Sequence, residues 1–184
     1  MPLKTRSEPI FFVDAMLGNI ARKLRLLGYD SQYFSDIDDE KLINIARKEK
    51  RIIISKDKEL IKKAQKLDMR SIHITKDEEI EQFFEIINII NLKRIQINGD
   101  TARCSNCNSL TESVDKDIIK EKIPQGVLKS NDRFWICKYC NHIYWEGTHI
   151  KNLQEFVGKI NERLQEFIKR GWECSCKNCK KNCY

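Results

Sequence analysis

The period of apolar positions changes repeatedly along the first half of the chain. Ile10, Phe11, Phe12 and Val13 form an unbroken run too short for a helix, which predicts a buried strand over 10–13. Ile20, Ala21, Leu24 and Leu27 then recur every three or four positions as far as Gly28, the spacing of one helix face followed by a residue that ends helices well. Residues 31–34 read as a weaker strand. Leu42, Ile43, Ile45 and Ala46 mark the apolar face of a helix over 39–50, and Ile52, Ile53 and Ile54 form the clearest strand of the chain. A helix over 57–67, a strand over 72–74 and a helix over 77–92 complete the series. Strands alternating with helices in this way belong to an α/β fold, a parallel central sheet covered by helices.

Ile54-Ser55-Lys56-Asp57-x-Glu59-Leu60 is echoed by Ile74-Thr75-Lys76-Asp77-x-Glu79-Ile80. A single echo is not a solenoid; it predicts two strand-to-helix turns, each capped by its aspartate. Near the C-terminus, Leu153, Phe156, Val157, Ile160, Leu164, Phe167 and Ile168 share one face of an amphipathic helix over 151–170. Packing of that face onto the rest of the chain is its simplest use, and a homo-oligomer interface is the other.

Composition narrows the class. The chain has 184 residues, 41% hydrophobic and 33% charged, with only 7 Gly and 3 Pro. These numbers allow one ordinary domain or two small ones and exclude a large multidomain enzyme, a collagen-like chain and a disordered one. The most apolar stretch, 83–92, is interrupted by Glu85, Asn88 and Asn91 and is too short to span a bilayer, so no membrane association is expected. No apolar run of signal-peptide length follows the basic residues of the N-terminus, which predicts a cytoplasmic protein. Eight cysteines in a reducing compartment point to metal binding before disulfides.

Neither the cysteines nor the net charge of +7 is spread evenly. Residues 1–98 carry 19 basic and 16 acidic residues and no Cys, 99–150 carry 7 of each and four Cys, and 151–184 carry 8 basic, 4 acidic and four Cys. The shift falls at the turn-forming triplet Asn98-Gly99-Asp100. It divides the chain into an α/β domain (1–98), a cysteine module (99–150), and a helix with a basic, Cys-rich tail (151–184).

Within the α/β domain, Asp14 directly follows the first strand, Asp39 opens the helix after the second, and Asp57 and Asp77 come one or more residues after later strands. All four lie at the carboxyl edge of a parallel sheet, where open sheets place their ligands. Carboxylates gathered there repel one another unless a hard divalent cation such as Mg²⁺ or Mn²⁺ neutralises them. Such a site suits metal-dependent phosphodiester hydrolysis. Helix capping accounts for Asp39, Asp57 and Asp77 taken singly. It does not account for Asp14, which stands ahead of its helix and behind four apolar residues. Arg22 and Arg25 on the first helix are placed to hold an RNA backbone, or else belong to a solvated helix face.

Cys104-x2-Cys107 and Cys137-x2-Cys140 are two knuckles with 29 residues between them. Together they supply the four thiolates of a closed, structural Zn²⁺ site of the zinc-ribbon kind. The tail is different: Cys174, Cys176, Cys179 and Cys183 crowd into ten residues. A second metal, an iron-sulfur cluster and free thiols are all consistent with that spacing. Tyr144, Trp145 and His149 beyond the second knuckle suit either a miniature core or RNA stacking.

The run Phe12-Val13-Asp14-Ala15-Met16-Leu17-Gly18-x-Ile20-Ala21-Arg22-x-Leu24-Arg25-x-Leu27-Gly28-Tyr29-Asp30 resembles the mutator-seven C-terminal ribonuclease family. So do Asp39-x-x-Leu42-x-x-x-Ala46, Arg51-Ile52-Ile53-Ile54-Ser55-Lys56-Asp57, the two knuckles, and Tyr144-Trp145-x-Gly147-Thr148-His149, in the family's own order over about 9–150. The resemblance implies a PIN-like three-layer domain, then a zinc ribbon, and metal-dependent RNA cleavage. Asp14, Asp39 and Asp57 would be the catalytic acids binding Mg²⁺ or Mn²⁺, with Asp77 the late acid. Ser-Lys-Asp stands where Thr-Arg-Asp is commoner, and the Cys-rich tail lies outside the family pattern. The expectation is thus a ribonuclease with RNA as its partner. Its alternatives are a non-catalytic RNA-binding adaptor that uses the ribbon, and a Mg²⁺-dependent phosphatase or receiver-like domain, for which Asp57 and Lys76 have the right types.

Overall fold

The computed structural model describes residues 8–92 and 94–169; the cysteines at 174, 176, 179 and 183 lie outside them. Four strands, β1 (Phe11–Val13), β2 (Ser31–Tyr33), β3 (Ile52–Ser55) and β4 (Ser71–His73), form an all-parallel sheet in the order β2-β1-β3-β4. Between them run α1 (Gly18–Leu26), α2 (Asp39–Glu49) and α3 (Lys58–Lys66), and α4 (Glu79–Ile90) follows the last. Side chains of successive strand residues point to opposite faces. Phe11, Val13, Ile52, Ile54 and Ile72 accordingly meet Ile20, Leu24, Phe83 and Ile86 of α1 and α4, whereas Phe12 and Ile53 meet Leu42, Ala46, Leu60 and Ala64 of α2 and α3. Helices cover both faces, giving three layers, so the central strands read as continuous apolar runs.

Helix α7 (Thr148–Lys169) starts three residues earlier than its apolar period suggests. Its Val157, Ile160 and Leu164 join the α1/α4 core, and Phe156 meets Phe83 edge to face at 5.0 Å. Arg163 forms a forked ion pair with Glu81 on α4, one arm at 2.9 Å. The amphipathic face is thus used within the chain. Among the described residues no helix is long and apolar enough to cross a membrane.

The cysteine module is a three-stranded antiparallel sheet, β5 (Thr111–Ser113), β6 (Phe134–Cys137) and β7 (Ile143–Trp145). Between β5 and β6 lie two short helices, α5 (Lys116–Ile119) and α6 (Gln125–Ser130). They close over Phe134 with Ile119 and Leu128.

Two details differ from the expected caps. The cap of α2 is Asp38, whose carboxylate accepts from Lys41 N at 2.8 Å, so Asp39 is released from that duty. The echo of Ser-Lys-Asp also fails as a turn: Asp57 caps α3 through Glu59 N and Leu60 N, but Asp77 caps nothing and α4 begins two residues after it. Thr75 bonds instead to Glu85, with Oγ1 donating at 2.5 Å and N at 3.0 Å, and this sends the chain on a different course into α4.

Candidate active site and metal centre

β1 and β3 are neighbours whose connections leave in opposite directions across the sheet, the arrangement that opens a crevice at the carboxyl ends of strands. Asp14 sits there. Its N donates to Ile54 O at 3.0 Å, Oδ1 accepts from Ala15 N at 2.6 Å, and Oδ2 accepts from Ser55 Oγ at 2.5 Å. Ser55 Oγ in turn accepts from Asp57 N at 2.8 Å. One buried hydroxyl therefore fixes the carboxylate of β1 to the backbone ahead of the second acid.

Asp39 accepts from Lys63 Nζ on α3 at 2.9 Å. That hydrogen bond, with smaller contributions from the charges of Asp57 and Glu40, holds the Lys63 ammonium above its ordinary pKa. Asp77, with a side chain 99% exposed, accepts from Lys56 Nζ at 2.9 Å, which lowers its pKa. Asp14, Ser55 and Asp57 thus form a connected set, Asp39 adjoins it through Lys63, and Asp77 stands apart across Lys56. Among the described residues no three carboxylates bring ligand oxygens as close together as the four cysteine sulfurs, which lie within 4.8 Å of one another.

Beside Asp14 a cleft of about 640 Å³ is lined by Met16, Arg22, Tyr33, Lys56, Asp77 and Gln82. At its wall, a Cβ on Gly18 would lie 2.8 Å from the Tyr33 hydroxyl, so a larger residue there would push the Tyr33 ring aside. Ser55, Tyr33 and Lys56 were not singled out as site residues by the sequence. For Ser55 a signal existed: a small hydroxyl residue ends a strand two positions before an acid.

Arg25 departs from its expected place. It is only 4% exposed, and its guanidinium donates to Ser31 O at 2.8 Å, Ser105 O at 2.8 Å and Asn106 O at 3.2 Å. Its donors serve carbonyls of β2 and of the first knuckle, so it joins the two modules and does not face the cleft; Arg22 does. Asn108 adds to the joint by accepting from Ser31 N at 3.0 Å and donating to Asp30 at 2.9 Å. Arg25→Met should cost about 3 kcal/mol in urea unfolding, since it strands buried carbonyls that a charged donor had satisfied.

Burial alone would raise the Asp30 pKa, but hydrogen bonds from Arg51 and Asn108 hold it below the ordinary value. A carboxylate depressed in the folded state adds stability above its unfolded pKa of about 3.9 and loses it as the pH falls through the folded value. Asp30→Asn should therefore be less stable than wild type at pH 7, with the gap closing below about pH 4. Chemical denaturation at several pH values measures this, with both proteins compared in the same metal-loaded state.

The knuckles are near copies. Asn108 N donates to Cys104 O at 2.9 Å and Asn141 N to Cys137 O at 3.1 Å, and both asparagines take the left-handed conformation, φ 69° and 59°. The four Sγ atoms lie within 4.8 Å of one another, with Cys104 and Cys137 buried. Four soft thiols so arranged can bind a tetrahedral structural Zn²⁺. Tyr144 OH lies 3.0 Å from Cys104 Sγ and accepts from Ser105 N at 3.0 Å, which orients the ligand from outside.

Comparison with curated proteins and with solved structures found no match. The family model described as Mut7-C RNAse domain matches residues 9–157, which takes in the sheet, the Asp14 cleft, both knuckles and the first half of α7. The chain belongs to the Mut7-C RNAse domain family.

Proposed function

We propose that the chain is a PIN-like ribonuclease that hydrolyses RNA phosphodiester bonds with one or two Mg²⁺ or Mn²⁺ ions held among Asp14, Asp39 and Asp57. The observation that carries this reading is the Asp14–Ser55–Asp57 chain of hydrogen bonds beside an open cleft at the carboxyl edge of the sheet. The donor chemistry fits a hard ion. Asp14 uses one lone pair on each oxygen, Asp57 bonds only through Oδ1 and Asp39 only through Oδ2, so oxygen capacity remains on all three. When bound, such an ion lowers the pKa of a coordinated water and offsets charge on the phosphate. Arg22 and Lys56 offer the cleft two cations for backbone phosphates. Asp77 tethers Lys56 rather than joining the other acids. The catalytic unit comprises the parallel sheet with α1–α4 and α7, and the zinc ribbon is docked to it through Arg25. Cytoplasmic location and RNA as substrate belong to this reading.

The test is cleavage of structured and unstructured RNAs by zinc-loaded protein, with and without added Mg²⁺ or Mn²⁺, beside Asp14→Asn. Cleavage that ignores both changes rules the mechanism out. One observation favours a second reading: Asp39, Asp57 and Asp77 each have a local partner, as they would in a non-catalytic RNA-binding adaptor. RNA binding without turnover under all of these conditions would select it.

A further inference from the structure

A second, smaller cavity of about 140 Å³ lies away from the acids, where the 97–103 segment, β6, β7 and the start of α7 meet. Trp135, Trp145, Arg103 and Thr111 are among its walls, and the exposed Arg133 and Glu146 stand at its rim. Two features distinguish it from a packing gap between modules. The Arg133 guanidinium is held over the Trp135 ring, with Cζ 4.9 Å from the centroid, and lies 3.5 Å from Glu146, so a planar cation is fixed against the opening's aromatic wall rather than left free in solvent. In addition, Arg103 Nε is buried with no hydrogen-bond partner among the described residues, although Nη1 of the same side chain donates to Asn108 O at 3.0 Å. A buried donor without a partner is costly and invites an acceptor.

We infer that this cavity takes a single nucleobase of single-stranded RNA. A base is flat, with π-faces for an indole or a guanidinium and an edge that carries both acceptors and donors. The cavity offers stacking surfaces in Trp145 and Arg133, cationic donors in Arg103 and Arg133, and acceptors in Glu146 and Thr111. Its volume admits one such ring and little more. A phosphate would meet Glu146 at the rim, and an aliphatic chain would contact Leu26, Ile97 and Ile150 but leave Arg103 Nε without an acceptor. The inference rests on the ribonuclease reading and adds to it: a strand would be gripped by a base at the ribbon while its backbone lies in the Asp14 cleft.

The test uses zinc-loaded Asp14→Asn protein, so that binding is read without turnover. Tryptophan fluorescence and fluorescence anisotropy follow the binding of oligoadenylate and oligouridylate, of a fully abasic strand of equal length, and of adenosine monophosphate. Trp145→Leu and Arg133→Gln are each added, with zinc content and melting temperature checking the fold; Arg133 is exposed and should leave both unchanged. Each variant is expected to weaken the oligonucleotides about tenfold, the loss of one stacked base, and to leave the abasic strand unaffected. Equal binding of oligonucleotides by parent and variants overturns the inference, as does equal binding of abasic and normal strands. Quenching by adenosine monophosphate that oligonucleotides cannot compete away overturns the RNA assignment in favour of a free nucleotide. Failure here is separable from failure of the ribonuclease reading. Active wild type with variants that bind normally removes the pocket alone, whereas base-sensitive binding by a chain that never cleaves removes the nuclease alone.

Discussion

Asp14→Asn should reduce RNA cleavage about a thousandfold, a loss of about 4 kcal/mol in transition-state stabilisation. Replacing one carboxylate oxygen by an amide nitrogen removes charge beside the cleft while keeping the size and most of the local bonding. The asparagine Oδ1 can still accept from Ala15 N, and its amide can donate to Ser55 Oγ in place of the bond that Ser55 now gives to Asp14. Stability should therefore change by less than about 1 kcal/mol, and the melting temperature by only a few degrees. That contrast is the informative part. If Asp14 served only to tie β1 to β3, the substitution would lower stability and leave turnover in proportion to the folded fraction. Ser55→Ala separates the contributions further. It frees Asp14 Oδ2 and leaves Asp57 N without its acceptor, so it should slow cleavage about tenfold through misplacement of two acids. Single-turnover cleavage at saturating protein, with circular dichroism melts of the same samples, measures both quantities.

The parts of this molecule that were legible in the sequence are those whose cause is local. β1 and β3 are covered on both faces, so every residue of Phe11–Val13 and Ile52–Ile54 is buried and the runs stand out as uniformly apolar. The helices of the α/β layers show their faces by period. The first strand of the ribbon gave no such sign: β5 is Thr-Glu-Ser with two of its three residues exposed, held by its ladder to β6 rather than by apolar alternation. At the site, Asp14 was legible because it stands behind four apolar residues; that it also caps a short 3-10 turn over Ala15–Leu17, accepting from Ala15 N, was not, because the turn precedes the apolar period of α1. Which of Asp38 and Asp39 caps α2 was not, because adjacent aspartates satisfy the same pattern and only the backbone turn selects one. Arg25 was the least legible of all. Arg22 and Arg25 lie three residues apart on one helix, yet the carbonyls that claim Arg25 come from Ser105 and Asn106, eighty residues downstream. No local signal distinguishes a guanidinium for a phosphate from one for a distant knuckle.

The same joint makes the zinc site matter beyond the ribbon. Cys137→Ser, which removes one of the two buried ligands, should abolish stoichiometric zinc and destabilise the protein by at least about 4 kcal/mol, the class of effect seen when a structural metal is lost. For a chain of this length that corresponds to a fall of roughly 10–15 °C in melting temperature. A ribbon that only decorated the α/β domain would melt early and leave the rest of the thermal transition in place. The contacts argue otherwise. Without the knuckle, Ser105 O and Asn106 O leave Arg25, Asn108 leaves both Ser31 N and Asp30, and Arg103 N leaves Arg25 O. The end of α1 and the start of β2 would then hold a buried guanidinium and backbone groups short of partners. Arg22 lies one turn earlier on α1, so the disturbance reaches the wall of the cleft. Cleavage should consequently fall at least tenfold in Cys137→Ser at temperatures where circular dichroism still reports intact helices, and hydrogen exchange should rise in residues 22–33 as well as in 104–145. Protection that is lost in the ribbon alone, with cleavage unchanged, would make the ribbon an independent appendage and leave Arg25 a local stabiliser. Loss of protection across both segments in one step would identify the zinc ion as the support on which the α1 wall of the nuclease cleft depends.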